Sequence, residues 1–217
     1  VETAAVVTSA VAGVEPLTQR MMDSGRERGL CRIVVINKID ARDANAEATL
    51  EEIREQFGRE CLPVNLPAAG GSKVIDCFFH NDGEATDFSS VRQAHTEIID
   101  QVVEVDEELM ALYLEQGEEL APAQLHDPFE KALREGHLVP VCFVSAETGA
   151  GVPELLEVMA RLMPNPAEGN PPPFMRGAGE DAVRVTVIPD PGRHAVAHVF
   201  KVIMDPKIRV PAYRSNA

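Results

Sequence analysis

Two short segments carry side chains that could grip a purine: Asn37-Lys38-Ile39-Asp40 and Ser145-Ala146-Glu147. A carboxylate at Asp40 can accept two hydrogen bonds side by side, from the N1–H and the exocyclic amine of guanine. Adenine offers a bare acceptor at N1 and no such amine. It would leave a desolvated carboxylate unpaired, a mismatch costing on the order of several kcal/mol. The Lys38 stem can lie along the base plane, Asn37 can tie its loop to neighbouring backbone, and the Ala146 backbone N–H can donate to guanine O6. Nothing comparable points to covalent or metal chemistry. The histidines show no HExxH or similar ligand spacing, and no Ser/His/Asp order marks a nucleophile. His194 and His198 are four apart, but at what reads as the start of a strand, where that spacing keeps them well separated. No catalytic residue and no metal ligand is assigned.

Ligands of open α/β sheets bind beyond the carboxyl ends of strands, so each segment must be delivered by a strand. Residues 4–10 (AAVVTSA) are a short apolar run bounded by Gly13 and Pro16, which predicts a core strand of a parallel sheet. Residues 17–28 have the polarity of a surface helix closed by Gly29. Residues 32–36 (RIVVI) predict a second buried strand that runs straight into Asn37. A helix follows, with Leu50, Ile53 and Phe57 on one face and Gly58 as its stop. Alternating strands and helices are the grammar of a doubly wound α/β sheet.

The pattern then changes. Pro63, Pro67, Gly70 and Gly71 punctuate a loop-rich piece containing a strand-like run over 74–79. A long acidic helix is expected over 91–114, with Ile98, Val102, Val105, Leu109 and Leu112 at helical spacing, and a shorter one over 128–134, ended by Gly136. The core resumes at 139–144 (VPVCFV), the strand that delivers Ser145. Its helix has Pro153 near the start, with Leu155, Leu156, Met159, Leu162 and Met163 expected to face inward. A proline-rich connector covers 164–177, and 183–188 and 195–203 read as strands. These signals divide the chain into an α/β core (1–60 and 139–163), an inserted α+β subdomain (61–138), a linker (164–180) and the start of a β-domain (181–217).

Composition narrows the function. The formal net charge of −15 argues against binding nucleic-acid phosphates and favours an acidic surface that meets a basic protein patch. The longest apolar stretch, 3–14, is too short to span a bilayer, so no membrane association and a cytoplasmic setting are expected. Cys31, Cys61, Cys77 and Cys142 lie in apolar surroundings with no CxxC pair, which predicts buried, reduced thiols.

The NKID segment after RIVVI and the SAE segment after PVCFV resemble the two-part guanine site of P-loop GTPases. More closely, GVEPLTQRMMD, CRIVVINKIDA, CFVSAETGAGVPELLEVM and HVFKVIMDPKI resemble elongation factor G and its close paralogues. The stretch that resembles this family runs from just after its second phosphate motif to the start of its second domain. The resemblance implies a partial P-loop-GTPase-type parallel sheet with helices on both faces, an inserted G′ subdomain and the beginning of a β-barrel. It implies GTP/GDP as the nucleotide, read by Asn37, Lys38 and Asp40 with help from Ser145, Ala146 and Glu147. It also implies a ribosomal partner, with the acidic G′ region meeting the stalk protein of the large subunit. Ribosomal protection proteins and the GTPase release factor carry insertions at the same place and remain alternatives. So does a non-enzymatic docking module with a vestigial pocket.

There are departures from that family. No GxxxxGK[ST], switch threonine in context or DxPGH occurs, and Gly70-Gly71-Ser72-Lys73 lacks the P-loop spacing and reads as a turn. Without a P-loop the chain has no cradle for the β and γ phosphates or for Mg²⁺, so it is expected not to hydrolyse GTP and to bind it weakly. The first strand would stand at an open edge, a pairing hazard. Self-pairing, cover by a flanking segment, or origin as a piece of a longer gene product would each answer this, and the last is favoured. The tail after DPKI also departs from the family, and about the last fifteen residues are expected to lack firm order.

Overall fold

The computed structural model describes residues 2–116, 122–165, 168–170, 174–177, 179–186, 190, 192, 202–204 and 211–213. They fall into two compact units divided at residues 171 and 172.

In the first unit, β1 (Thr3–Ser9), α1 (Pro16–Glu27), β2 (Cys31–Asn37) and α2 (Ala46–Phe57) follow the alternation of the sequence. Next come β3 (Cys61–Pro63), a hairpin of β4 (Asn65–Ala68) and β5 (Lys73–Asp76), and three helices: α3 (Val91–Val103), α4 (Glu107–Gln116) and α5 (Pro122–Glu135). Strand β6 (Val139–Phe143) and helix α6 (Val152–Arg161) complete it. Four strands make one parallel sheet in the order β1–β2–β6–β3. Its inner strands are buried on both faces, as near-continuous apolar runs require. One face packs Met22 of α1 and Leu50, Ile53 and Phe57 of α2 against Val34, Ile36, Val141 and Phe143. On the other, Ile98, Val102, Leu109, Phe129 and Leu133 from α3 to α5, with Val158 of α6, cover Ile33 and Cys142. The result is a mixed α/β fold, with helices on both faces of the parallel sheet.

Several expectations need correction. The boundary drawn at 61 cuts through the parallel sheet, because Cys61–Pro63 pairs with β6. The long acidic helix is two helices: the Asp106 carboxylate accepts from the backbone N–H groups of Glu108 and Leu109, which caps a new start. Helix α5 begins at Pro122, ahead of the expected 128, and keeps Pro128 inside it. On α6, Leu156 and Met159 point away from the core and Leu156 is 59% exposed, while Val158 is buried in their place. Strand β1 is half-covered: Val6 and Thr8 are buried but Val7 is 60% exposed. The four thiols are free and buried, as their apolar neighbours predict.

In the second unit, β7 (Phe174–Arg176) pairs antiparallel with β8 (Val183–Val185), and β9 (Val202–Met204) with β10 (Pro211–Tyr213). Strand β7 lies within the stretch read as linker, and β10 within the tail expected to lack order. His194, His198 and most of 195–203 lie outside the described residues. Among the described residues no helix is long and apolar enough to cross a membrane.

Candidate functional site

Strands β2 and β6 are neighbours and both run toward the same end of the sheet, with Ile36 opposite Phe143. Their tips therefore emerge side by side, although they are far apart in the chain. The backbone continues to stitch them past the last sheet pair: Val144 N–H donates to Ile36 O at 2.9 Å, and Ile39 N–H to Val144 O at 3.3 Å. Strand β1 and α2 brace the same tip from the other side, through Ala10 N–H to Asn37 O and Asn45 N–H to Ala10 O, both 2.8 Å. The Asn45 side chain caps α2 by accepting from Ala48 N–H.

The half-buried Asn37 side chain is the link between the two segments. Its Oδ1 accepts from Lys38 N–H at 2.7 Å and from Ala146 N–H at 3.0 Å. The expected tie from Asn37 to neighbouring backbone is thus to the second segment, Ser145-Ala146-Glu147, itself. It also means that the Ala146 amide, read as a donor to a base oxygen, is engaged by Asn37 in this structure. Lys38 has φ 64, a left-handed backbone that is unfavourable for a residue with a Cβ by about 1 kcal/mol. The turn is closed by Ala41 N–H donating to Lys38 O. Asp40 is half-buried, and its carboxylate has no hydrogen bond or ion pair among the described residues, so both oxygens are available to accept. Ser145 is fully buried, and its Oγ accepts from Thr148 N–H to shape the loop that presents Ala146. Lys38, Ala146 and Glu147 are exposed, so the tips form an open shelf.

The family described as "Elongation factor Tu GTP binding domain" matches residues 1–165. The chain belongs to this translational GTPase family. Among its relatives are an elongation factor G-like protein of Thermotoga maritima, 30% identical over 92% of the chain, and elongation factor G of Fervidobacterium nodosum, 28% identical over 94%. The chain spans 30% and 32% of the length of these two proteins. A crystal structure of a protein from Thermus thermophilus superposes with a TM-score of 0.65 at 35% identity, covering 79% of the chain and 28% of that protein.

Three residues beside the site of this GTPase-family chain were not assigned to it from the sequence. Asn65 is buried, and its amide grips the backbone of Phe143 from both sides: Phe143 N–H donates to Oδ1 at 2.7 Å and Nδ2 donates to Phe143 O at 3.1 Å. Losing it would leave two buried backbone groups unpaired at about 1–3 kcal/mol each. Gly71, read only as part of a turn, packs against the Ile39 carbonyl. Asp87 holds that turn by accepting from the Gly70 and Gly71 N–H groups, each at 2.9 Å. The available signal was a polar residue among apolar ones in VNLP and a glycine pair. Neither pointed to a partner.

Proposed function

We propose that this chain carries the guanine-reading part of an elongation factor G-like translational GTPase. The single observation behind this is the Asn37 bridge to Ala146 beside an unpaired, half-buried Asp40 carboxylate. In this reading Asp40 accepts from the N1–H and exocyclic amine of guanine, Lys38 lies along the ring, and the Ala146 amide exchanges Asn37 for the base oxygen. Asn37 then holds Lys38 alone. Ser145 and Glu147 shape the second loop. GTP or GDP is the nucleotide. The whole protein would couple GTP hydrolysis to ribosomal translocation, and the 217 residues alone, with no phosphate-cradling motif, would bind nucleotide weakly and not hydrolyse it.

The test is a base swap. Asp40→Asn converts an acceptor pair into one acceptor and one donor, which suits xanthine in place of guanine. Titrating the chain with GMP and XMP while following the Asp40 and Ala146 amides by NMR should show preference for GMP in the native chain and XMP in the variant. Equal response of the native chain to GMP and AMP would sink the reading.

A second reading concerns the segment inserted between β3 and β6, which we take as a G′-like docking subdomain. Glu104, Glu107 and Glu108 are exposed on neighbouring helices, and no Lys or Arg occurs between Arg92 and Lys131. That surface suits a basic partner, and the stalk protein of the large ribosomal subunit is the one proposed.

A further inference from the structure

We propose that the β4–β5 hairpin sets the spacing between the two guanine-contacting loops, with Asn65, Gly71 and Asp87 as its positioning residues. The inference rests on the guanine reading above and deepens it. The hairpin meets the backbone at the end of β6, just ahead of the second loop, and the backbone of the first loop at Ile39.

At its base, the ladder between β3 and β6 ends at Pro63 opposite Val141, with one more bond from Val64 N–H to Val141 O. Phe143, the last residue of β6, directs its N–H and C=O toward this same side, beyond the end of the β3 ladder, where no strand among the described residues pairs with it. The Asn65 amide supplies the missing rung with both a donor and an acceptor. Phe143 is two residues before Ser145, so Asn65 fixes the point from which the second loop departs. The ring of Phe88 meets Phe143 edge-on, with centroids 5.6 Å apart, and steadies the same spot.

At its tip, Gly71 is buried with φ 74, and a Cβ built there would lie 2.1 Å from Ile39 O and 3.2 Å from Asp40 N. The turn is therefore pressed onto the residue immediately before the base-reading carboxylate. The turn does not drift from that position, because Asp87 accepts from both its glycine amides while Asp87 N–H donates to Pro67 O at 2.8 Å. Between base and tip the hairpin is in continuous register from Asn65 opposite Asp76 to Ala68 opposite Lys73. A short, hydrogen-bonded strut thus connects the end of β6 to the Ile39–Asp40 peptide. Recognition of one planar base by two loops depends on that distance.

The adjacent glycines provide a matched experiment. Gly70 has φ 66 and nothing within 4 Å of its would-be Cβ, so Gly70→Ala carries the left-handed backbone cost without the contact. Gly71→Ala carries the same cost and drives a methyl into Ile39 O. In ¹⁵N-labelled chain titrated with GMP, and with AMP as control, Gly70→Ala should bind GMP within about twofold of the native chain. Gly71→Ala should weaken GMP by about tenfold or more and displace the Ile39 and Asp40 amides before nucleotide is added. Asn65→Ala should weaken GMP similarly, displacing the Ala146 amide while the Val34 and Val35 amides in the middle of the sheet stay put. Should circular dichroism show Gly71→Ala unfolded, the Asn65→Ala result decides the matter by itself. A native chain that prefers GMP, with Gly71→Ala matching Gly70→Ala or with Asn65→Ala matching the native chain, overturns this inference and leaves the guanine reading standing. A native chain indifferent between GMP and AMP ends both.

Discussion

Lys38 sits in a left-handed conformation just beyond the tip of β2, and two hydrogen bonds hold it there. Strain of this kind is kept where the surroundings over-determine it. Glycine adopts the same backbone without the Cβ conflict, so Lys38→Gly should raise stability by up to about 1 kcal/mol in urea unfolding. The same variant should lose GMP affinity, because the apolar stem proposed to cover the ring is gone. A variant that neither gains stability nor loses affinity would show that the strain has no function. Asn37 presents a different economy at this scale: one side-chain oxygen serves two backbone donors, one on the next residue and one 109 residues away. Single-residue tolerance at 37 is therefore low even before a nucleotide is considered.

At the scale of elements, the acidic stretch is two helices because Asp106 offers a cap that competes with continuation. The break leaves Glu104 near the end of one helix and Glu107 and Glu108 at the start of the next, where carboxylates favour the helix N-terminus. Reversing all three to lysine should weaken binding to the basic stalk partner proposed above by about tenfold or more at low salt, with the difference shrinking as salt is raised. Unchanged affinity in a pull-down would remove this surface from consideration. Strand β1 shows what an edge costs. Val7 on the strand, Val11 just beyond it and Leu17 and Met21 on α1 are exposed apolar side chains, while the opposite edge of β1 is paired with β2 throughout its length. Large apolar side chains left in solvent beside an open strand edge favour association.

For the molecule as a whole, the two cores on either side of the sheet each bury two thiols. Burial pushes Cys61, Cys77 and Cys142 up to about 12 from the ordinary 9.0, with neighbouring carboxylates adding to it. The folded protein thus keeps these protons when the unfolded chain releases them. The stability they contribute is complete below about pH 9 and is lost as pH rises toward about 12, by up to about 1.4 kcal/mol per pH unit for each thiol. Urea midpoints should therefore fall between about pH 8 and about pH 10.5, and replacing the three cysteines with valine should flatten that slope. A slope unchanged by the replacement would assign the alkaline loss to other groups.

Much of this protein follows from short-range grammar. Alternation of apolar runs with amphipathic stretches, Asn37 to Asp40 at one strand end and Ser145 at another, and Gly58 closing a helix are all written within a dozen consecutive residues. Local dihedral preference and side-chain period act over that range, so they survive in the letters. Other features depend on which distant segments meet. The three residues Cys61–Pro63 are too few to declare a strand, and only pairing with β6 makes them one. The Asn65 amide finds its partner 78 residues away, and Gly71 is constrained by a carbonyl on another loop. Leu156 and Val158 exchange expected places because the orientation of α6 about its axis is set by the helices already packed on that face, not by its own sequence. A hydrogen bond or a close contact between remote backbones has no periodic signature, since its geometry exists only after the chain has folded.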